Sequence, residues 1–155
     1  MEISTIEIKP LVGMNELKFG SEPAEVENYL GEPAEIEDWP GDEDGSDAEA
    51  WNYLEEEITV FFEKDYQGKC TGFETDNRDS VMFGEKIFGL NENELKALME
   101  KNGFKEVDAD MDEHGERRLS FNDAVMDFYF ENDSLISVSW GVLIDFDTDV
   151  VNWPA

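Results

Sequence analysis

The strongest constraint on this chain is that it resembles itself. Leu17-Lys18-Phe19-Gly20, followed by Glu25-Val26-Glu27-Asn28-Tyr29-Leu30, matches Lys86-Ile87-Phe88-Gly89, followed by Glu94-Leu95-Lys96-Ala97-Leu98-Met99, at an offset of 69 residues from Phe19 to Phe88. Further along, Phe61-Phe62-Glu63-Lys64-Asp65 matches Tyr129-Phe130-Glu131-Asn132-Asp133 at an offset of 68 from Phe61 to Tyr129. Two separate blocks holding nearly one spacing point to a duplicated unit. The expected organisation is one compact body over residues 1–155, made of a first repeat at 14–76 and a second at 82–145.

Each copy reads as a helix followed by strands. In the first, Ser21 or Glu22 is placed to cap and Pro23 suits the first helical turn, where a missing N–H costs nothing. In the second, Asn91 with Glu94 forms a capping-box pair. Val26, Tyr29 and Leu30 share one helical face, as do Leu95, Leu98 and Met99, and Gly31 and Gly103 are suited to end the two helices. Period-two alternation then marks strands: Ile58, Val60 and Phe62 oppose Thr59 and Phe61, while Met126, Phe128 and Phe130 oppose Val125, Asp127 and Tyr129. Neighbouring strands are expected near 50–54, 69–75, 117–121 and 135–140. The expected fold class is α+β, a tandem repeat of a helix followed by a three-stranded or larger antiparallel sheet.

Charge restricts the function. Forty acidic residues stand against 11 basic ones, a net charge of −29, while 40% hydrophobic and 12% aromatic content keeps the chain out of the disordered acidic class. Such a field repels nucleic-acid phosphates and anionic membranes, and it attracts cationic proteins. Residues 32–57 hold 12 of the acids and no Lys or Arg. With Pro33, Pro40, Gly41 and Gly45 interrupting them, they read as an acidic surface loop. Cys70 is the single cysteine, which excludes an internal disulfide and a cysteine zinc cluster. The start lacks a basic segment followed by an apolar run, and no apolar stretch reaches the ~18 residues of a membrane helix. The expected compartment is the cytoplasm.

The run Ile8-Lys9-Pro10-Leu11-Val12-Gly13, with Leu17-Lys18-Phe19-Gly20, Glu25-Val26 and Leu30-Gly31-Glu32-Pro33, resembles small bacterial proteins carrying an FG…EV…LGEP element. That element is similar to the repeat of the β-lactamase-inhibitor-protein-like and SmpA/OmlA-type domains. The second copy keeps Phe88-Gly89-Leu90 but has Lys101-Asn102-Gly103 where Gly-Glu-Pro would fall. The resemblance implies a helix packed on a curved antiparallel sheet, twice, and work done by binding protein, in some cases a toxin, rather than by chemistry.

Recognisable catalytic machinery is missing from the pattern. His114 is the single histidine and lies in the polar run Asp112-Glu113-His114-Gly115-Glu116, which reads as an exposed loop. Asp108, Asp110 and Asp112 alternate like the first ligands of a calcium loop, but Glu113 takes the place of its glycine and Leu119 that of its closing glutamate. The expectation is therefore no catalytic, cofactor or metal residue, and a basic protein, such as a toxin, as partner. The residues expected to meet it are Asp42, Glu43, Asp44 and Asp47 as steering charges, and Trp51, Tyr53, Phe61, Tyr129 and Trp140 as aromatic anchors. A structural or housekeeping interaction module and a carboxylate-based enzyme stay open as alternatives.

Overall fold

A computed structural model describes residues 5–40, 47–111, 115–145, 148 and 150–154. In chain order the elements are β1 (Glu7–Lys9), β2 (Gly13–Met14), β3 (Leu17–Lys18), α1 (Pro23–Leu30), β4 (Glu35–Trp39), β5 (Ala48–Tyr53), β6 (Ile58–Glu63) and β7 (Lys69–Thr75). They continue with β8 (Val81–Met82), β9 (Glu85–Lys86), α2 (Glu92–Lys101), β10 (Val107–Met111), β11 (Arg117–Phe121), β12 (Met126–Glu131), β13 (Ser134–Gly141), β14 (Ile144–Asp145) and β15 (Val150–Val151). Glu25 accepts a hydrogen bond from the Glu22 N–H at the start of α1. At the start of α2, Asn91 and Glu94 cap each other reciprocally, at 2.9 and 3.1 Å.

The architecture corrects the expected fold class. The chain is mostly strand, with two short helices, and it is not a tandem α+β array of helix-plus-three-strand units. β4–β7 and β10–β13 merge into one antiparallel sheet of eight, ordered β10-β11-β12-β13-β7-β6-β5-β4. A second sheet, of very short strands, is ordered β3-β2-β1-β8-β9 and contains one parallel pair, β1 with β8. The missed strands explain the error. β4 and β10 are the two edges of the large sheet, and every residue in both is exposed, so neither carries the alternation that betrays a half-buried strand. β4 lies inside the acidic stretch that reads as a loop, and β10 holds the Asp108 and Asp110 of the calcium-like pattern.

What the internal similarity does mark is local. The register between β6 and β7 shifts at Phe61/Phe62, and that between β12 and β13 shifts at the matching Tyr129/Phe130. Each shift is an added residue that bends the ladder and increases its twist.

One continuous core lies between the large sheet and a layer made of α1, α2 and the small sheet. Val60, Phe73, Phe128 and Val138 from the large sheet meet Val26, Leu95, Met99, Met14 and Met82 from the covering layer, all fully buried. Polar ties lock the layers together. Tyr53 Oη donates to the Gly31 carbonyl at the end of α1 (2.9 Å), and Trp140 Nε1 donates to the Gly13 carbonyl in β2 (2.8 Å). Nothing in the described chain covers the opposite face of the large sheet in the same way, and residues there alternate as half-buried with the buried core positions.

Candidate functional site

The uncovered face of the eight-stranded sheet is built from one parity of residues, and the ladder registers line these up across all eight strands. One cross-strand row runs Glu35, Asn52, Thr59, Glu74, Ser139, Asp127, Ser120 and Asp108, from one edge to the other. Its members bond one another and their neighbours: Thr59 Oγ1 to Asn52 Oδ1 (2.9 Å), Asn52 Nδ2 to Glu37 Oε1 (2.8 Å), Ser137 Oγ to Glu74 Oε1 (3.3 Å) and Ser120 Oγ to Asp127 Oδ1. The row therefore forms a polar belt of separate hydrogen-bonded clusters, in which the Ser137 and Ser120 hydroxyls donate to the Glu74 and Asp127 carboxylates.

Beside the belt, at the seam between β7 and β13, Gly72 pairs with Gly141. Two side chains are thereby missing from the middle of the face, and a groove of about 860 Å³ opens there. Trp39 and Phe61 form one wall, their ring centroids 5.0 Å apart. Val125, Leu143 and Ile144 form the other, and Glu63, Glu74 and Asp127 present carboxylates to the space.

The position of these acids changes their chemistry. Burial pushes the Glu63 carboxyl above its usual value of 4.5, with Asp65 adding to the rise and the Thr71 hydroxyl opposing it. Burial raises Glu74 in the same way, with Asp76 adding and Ser137 opposing. The Tyr129 phenol is also raised, first by burial and then by the nearby charge of Asp127.

A stability prediction follows from these directions. Glu63 and Glu74 hold protons more tightly folded than unfolded, so their contribution to stability falls as pH rises through their raised values. Glu92 acts oppositely: its hydrogen bond from Arg117 Nε (2.7 Å) lowers its pKa, and that stabilisation is lost as pH falls below the ordinary glutamate value of 4.5. The melting temperature should therefore be higher at about pH 5.5 than at about pH 8, and should fall again in stronger acid. Relief of the −29 net charge acts in the same direction. The Glu63→Gln/Glu74→Gln double variant should show a flatter rise when both proteins are melted across this range. An unchanged slope would contradict the half-buried placement of the two acids.

The structure divides the residues expected at the interface. Trp51, Tyr53 and Trp140 are 7%, 3% and 2% exposed and belong to the core, which corrects their assignment as anchors. Their side chains point toward the covering layer, and a partner could reach them only by opening the sheet. Phe61 and Tyr129 lie on the uncovered face and both line the groove. Asp47 is exposed just before β5, and its backbone carbonyl accepts from the Lys64 N–H at 2.9 Å. Asp42, Glu43 and Asp44 lie outside the described residues, as does His114.

The sequence reading missed Trp39, Glu63, Glu74, Asp127 and the glycine pair. The signal available for two of them was a carboxylate standing alone in an apolar strand, as in Phe73-Glu74-Thr75 and Met126-Asp127-Phe128. Among the described residues no group of three or more His, Cys, Asp or Glu side chains is arranged to hold a metal ion, and no helix is long and apolar enough to cross a membrane. The Cys70 thiol is fully buried, and burial raises its pKa far out of the reactive range.

Compared with family models, with curated proteins and with solved structures, the chain matches none. The resemblance to tandem FG…EV…LGEP proteins therefore rests on residues 8–33 and their partial echo at 86–99.

Proposed function

We propose that this chain is a non-enzymatic acidic protein-binding module of the immunity type, which neutralises a cognate basic bacterial toxin inside the cell. The observation that carries this reading is the uncovered sheet face, where an apolar groove and an acidic belt share one surface. Specific interfaces combine a desolvated apolar centre with a charged rim, the first giving affinity and the second speeding encounter. Here Phe61 stands beside the glycine seam with Trp39 leaning on it from the end of edge strand β4, and the exposed Glu35, Glu37, Asp108 and Asp110 stand on the edge strands.

The test is co-expression with a candidate toxin encoded beside this chain. Growth should be rescued by the wild type and lost on replacing Phe61 with Asp, which places an unpaired charge on the groove wall. Complex formation measured by surface plasmon resonance should slow with added salt in its association phase. A partner of acidic character, or full rescue by the Asp variant, would remove this reading.

A carboxylate-based enzyme is the second reading, supported by the raised Glu63 and Glu74 in a cleft. It predicts that Glu74→Gln abolishes a turnover while leaving binding intact. The immunity reading predicts loss of binding and no turnover to abolish.

A further inference from the structure

The groove is lined by three carboxylates and, among the described residues, by no Lys, Arg or His. In water an acidic surface needs no local partner. A seated protein partner, however, excludes solvent, and a carboxylate left unpaired under it costs far more than one left in water. Among the described residues the three acids have hydroxyl donors: Thr71 for Glu63, Ser137 for Glu74 and Ser120 for Asp127. None takes part in an ion pair between described residues. Arg118, whose charge reaches Asp127, is held by Asp110 on the edge strand. Lys69, paired with Glu63 in the ladder, sits over the Trp153 ring at 5.7 Å. Arg118 thus pairs with Asp110 through one guanidinium nitrogen while its field reaches Asp127, and Lys69 is turned toward Trp153, so neither forms an ion pair with the groove acids among the described residues.

The walls add a second requirement. Trp39, Phe61 and Tyr129 present aromatic surface beside the acids. Aromatic faces attract cations and also cover the methylene stem of a long basic side chain. An aliphatic residue would leave the carboxylates unpaired, and an acid would be repelled.

We infer that the groove over Gly72 and Gly141 is a receptor for one protruding arginine or lysine of the partner protein, its charged head beside Glu74, two residues from Gly72 on the same face, and within the field of Glu63 and Asp127 toward the ends of the groove, its stem against Phe61 and Trp39. Arginine suits the site better than lysine, because its planar guanidinium grips a carboxylate through two parallel N–H donors and stacks on a ring. This inference rests on the proposed protein-binding function and specifies its chemistry.

The test separates the groove from the general field of an acidic protein. The probe is a capped hexapeptide of alternating arginine and leucine, titrated calorimetrically, with the glutamate–leucine peptide as its opposite. Gly72→Leu fills the floor without changing charge. A Cβ at position 72 meets the Trp140 carbonyl oxygen at 3.4 Å and Phe61 Cδ2 at 3.7 Å, ordinary contacts that the sheet accommodates. Leu143→Arg places a competing guanidinium on the wall from a side chain already 38% exposed, a site where folding is not at stake. Glu85→Gln, on an exposed strand of the small sheet, changes the net charge by the same single unit as Glu74→Gln or Leu143→Arg.

The arginine peptide should bind the wild type and lose at least about tenfold in affinity to the Gly72→Leu, Leu143→Arg and Glu74→Gln variants, while Glu85→Gln stays within about twofold. Undiminished binding by Gly72→Leu and Leu143→Arg, or an equal loss in Glu74→Gln and Glu85→Gln, would overturn the receptor assignment. It would leave the protein-binding function standing, because toxin rescue is measured separately. Should Gly72→Leu fail to melt cooperatively, Leu143→Arg alone decides the matter.

Discussion

Replacing Trp140 with alanine should lower the stability of this protein more than any change on the uncovered face. The indole is 2% exposed, lies 5.5 Å from the Phe73 ring, and donates its N–H to the Gly13 carbonyl across the two layers. Truncation leaves a cavity, which costs about 3–5 kcal/mol for an aromatic-to-alanine change in a core. It also leaves the Gly13 carbonyl oxygen without its donor, and an unsatisfied buried acceptor costs about 1–3 kcal/mol. Against a typical total stability of about 5–15 kcal/mol, this is a large share. Chemical denaturation should show a midpoint shift of that size. Trp140→Phe, which keeps most of the volume and loses only the hydrogen bond, should lose no more than about 3 kcal/mol. A stability of Trp140→Ala equal to wild type would mean that the indole is not in the core, and would restore it as a candidate surface anchor.

The second large effect is expected at Gly13, the acceptor of the same bond. Its φ is +153°, and an added Cβ would stand 2.0 Å from the Leu17 carbonyl oxygen and 2.9 Å from the Lys18 Cα, both of them backbone atoms of the paired strand β3. No rotamer change relieves a clash with backbone. Gly13→Ala must therefore open the β2–β3 hairpin, which carries Met14 and Leu17 into the core, and must move the carbonyl that Trp140 uses. The expected cost is at least about 3 kcal/mol, the size associated with strain at a special backbone position combined with lost packing. Gly103 supplies the contrast: its φ of +92° disfavours a side chain, but nothing lies within 4 Å of the added Cβ. Gly103→Ala should cost only about 1–2 kcal/mol. Because Gly13 and Trp140 share one hydrogen bond, Gly13→Ala with Trp140→Phe should cost less than the sum of the single changes. Strict additivity in that double-mutant cycle would show that the bond does not couple the layers.

These two positions also show why the site was harder to read than the elements. Strands such as Arg117–Phe121 and Lys69–Thr75 are legible because one of their faces is buried and the other is not, which writes a period of two into the residues. The helix starts are legible because capping is local chemistry: Asn91 and Glu94 need only each other. By contrast, β4 and β10 have no buried face, and their presence depends on a neighbouring strand offering its free edge.

The assignment of faces is the deeper limit. Phe61 and Phe62 are adjacent aromatics pointing to opposite sides of one strand, and Tyr129 and Phe130 repeat the arrangement. Alternation alone says that the two members of each pair part company, but it does not say which of them a helix will cover. That was decided by the layer of α1, α2 and the small sheet settling against Phe62 and Phe130, which left Phe61 and Tyr129 on the groove and drew Trp51, Tyr53 and Trp140 inside. The residue order determined the charge, the caps and the inner strands, because each depends on near neighbours or on composition. The merging of the strands into one sheet of eight, and the glycine seam that opens its groove, came only with tertiary structure, because both depend on β7 meeting β13, whose paired residues lie far apart in the chain.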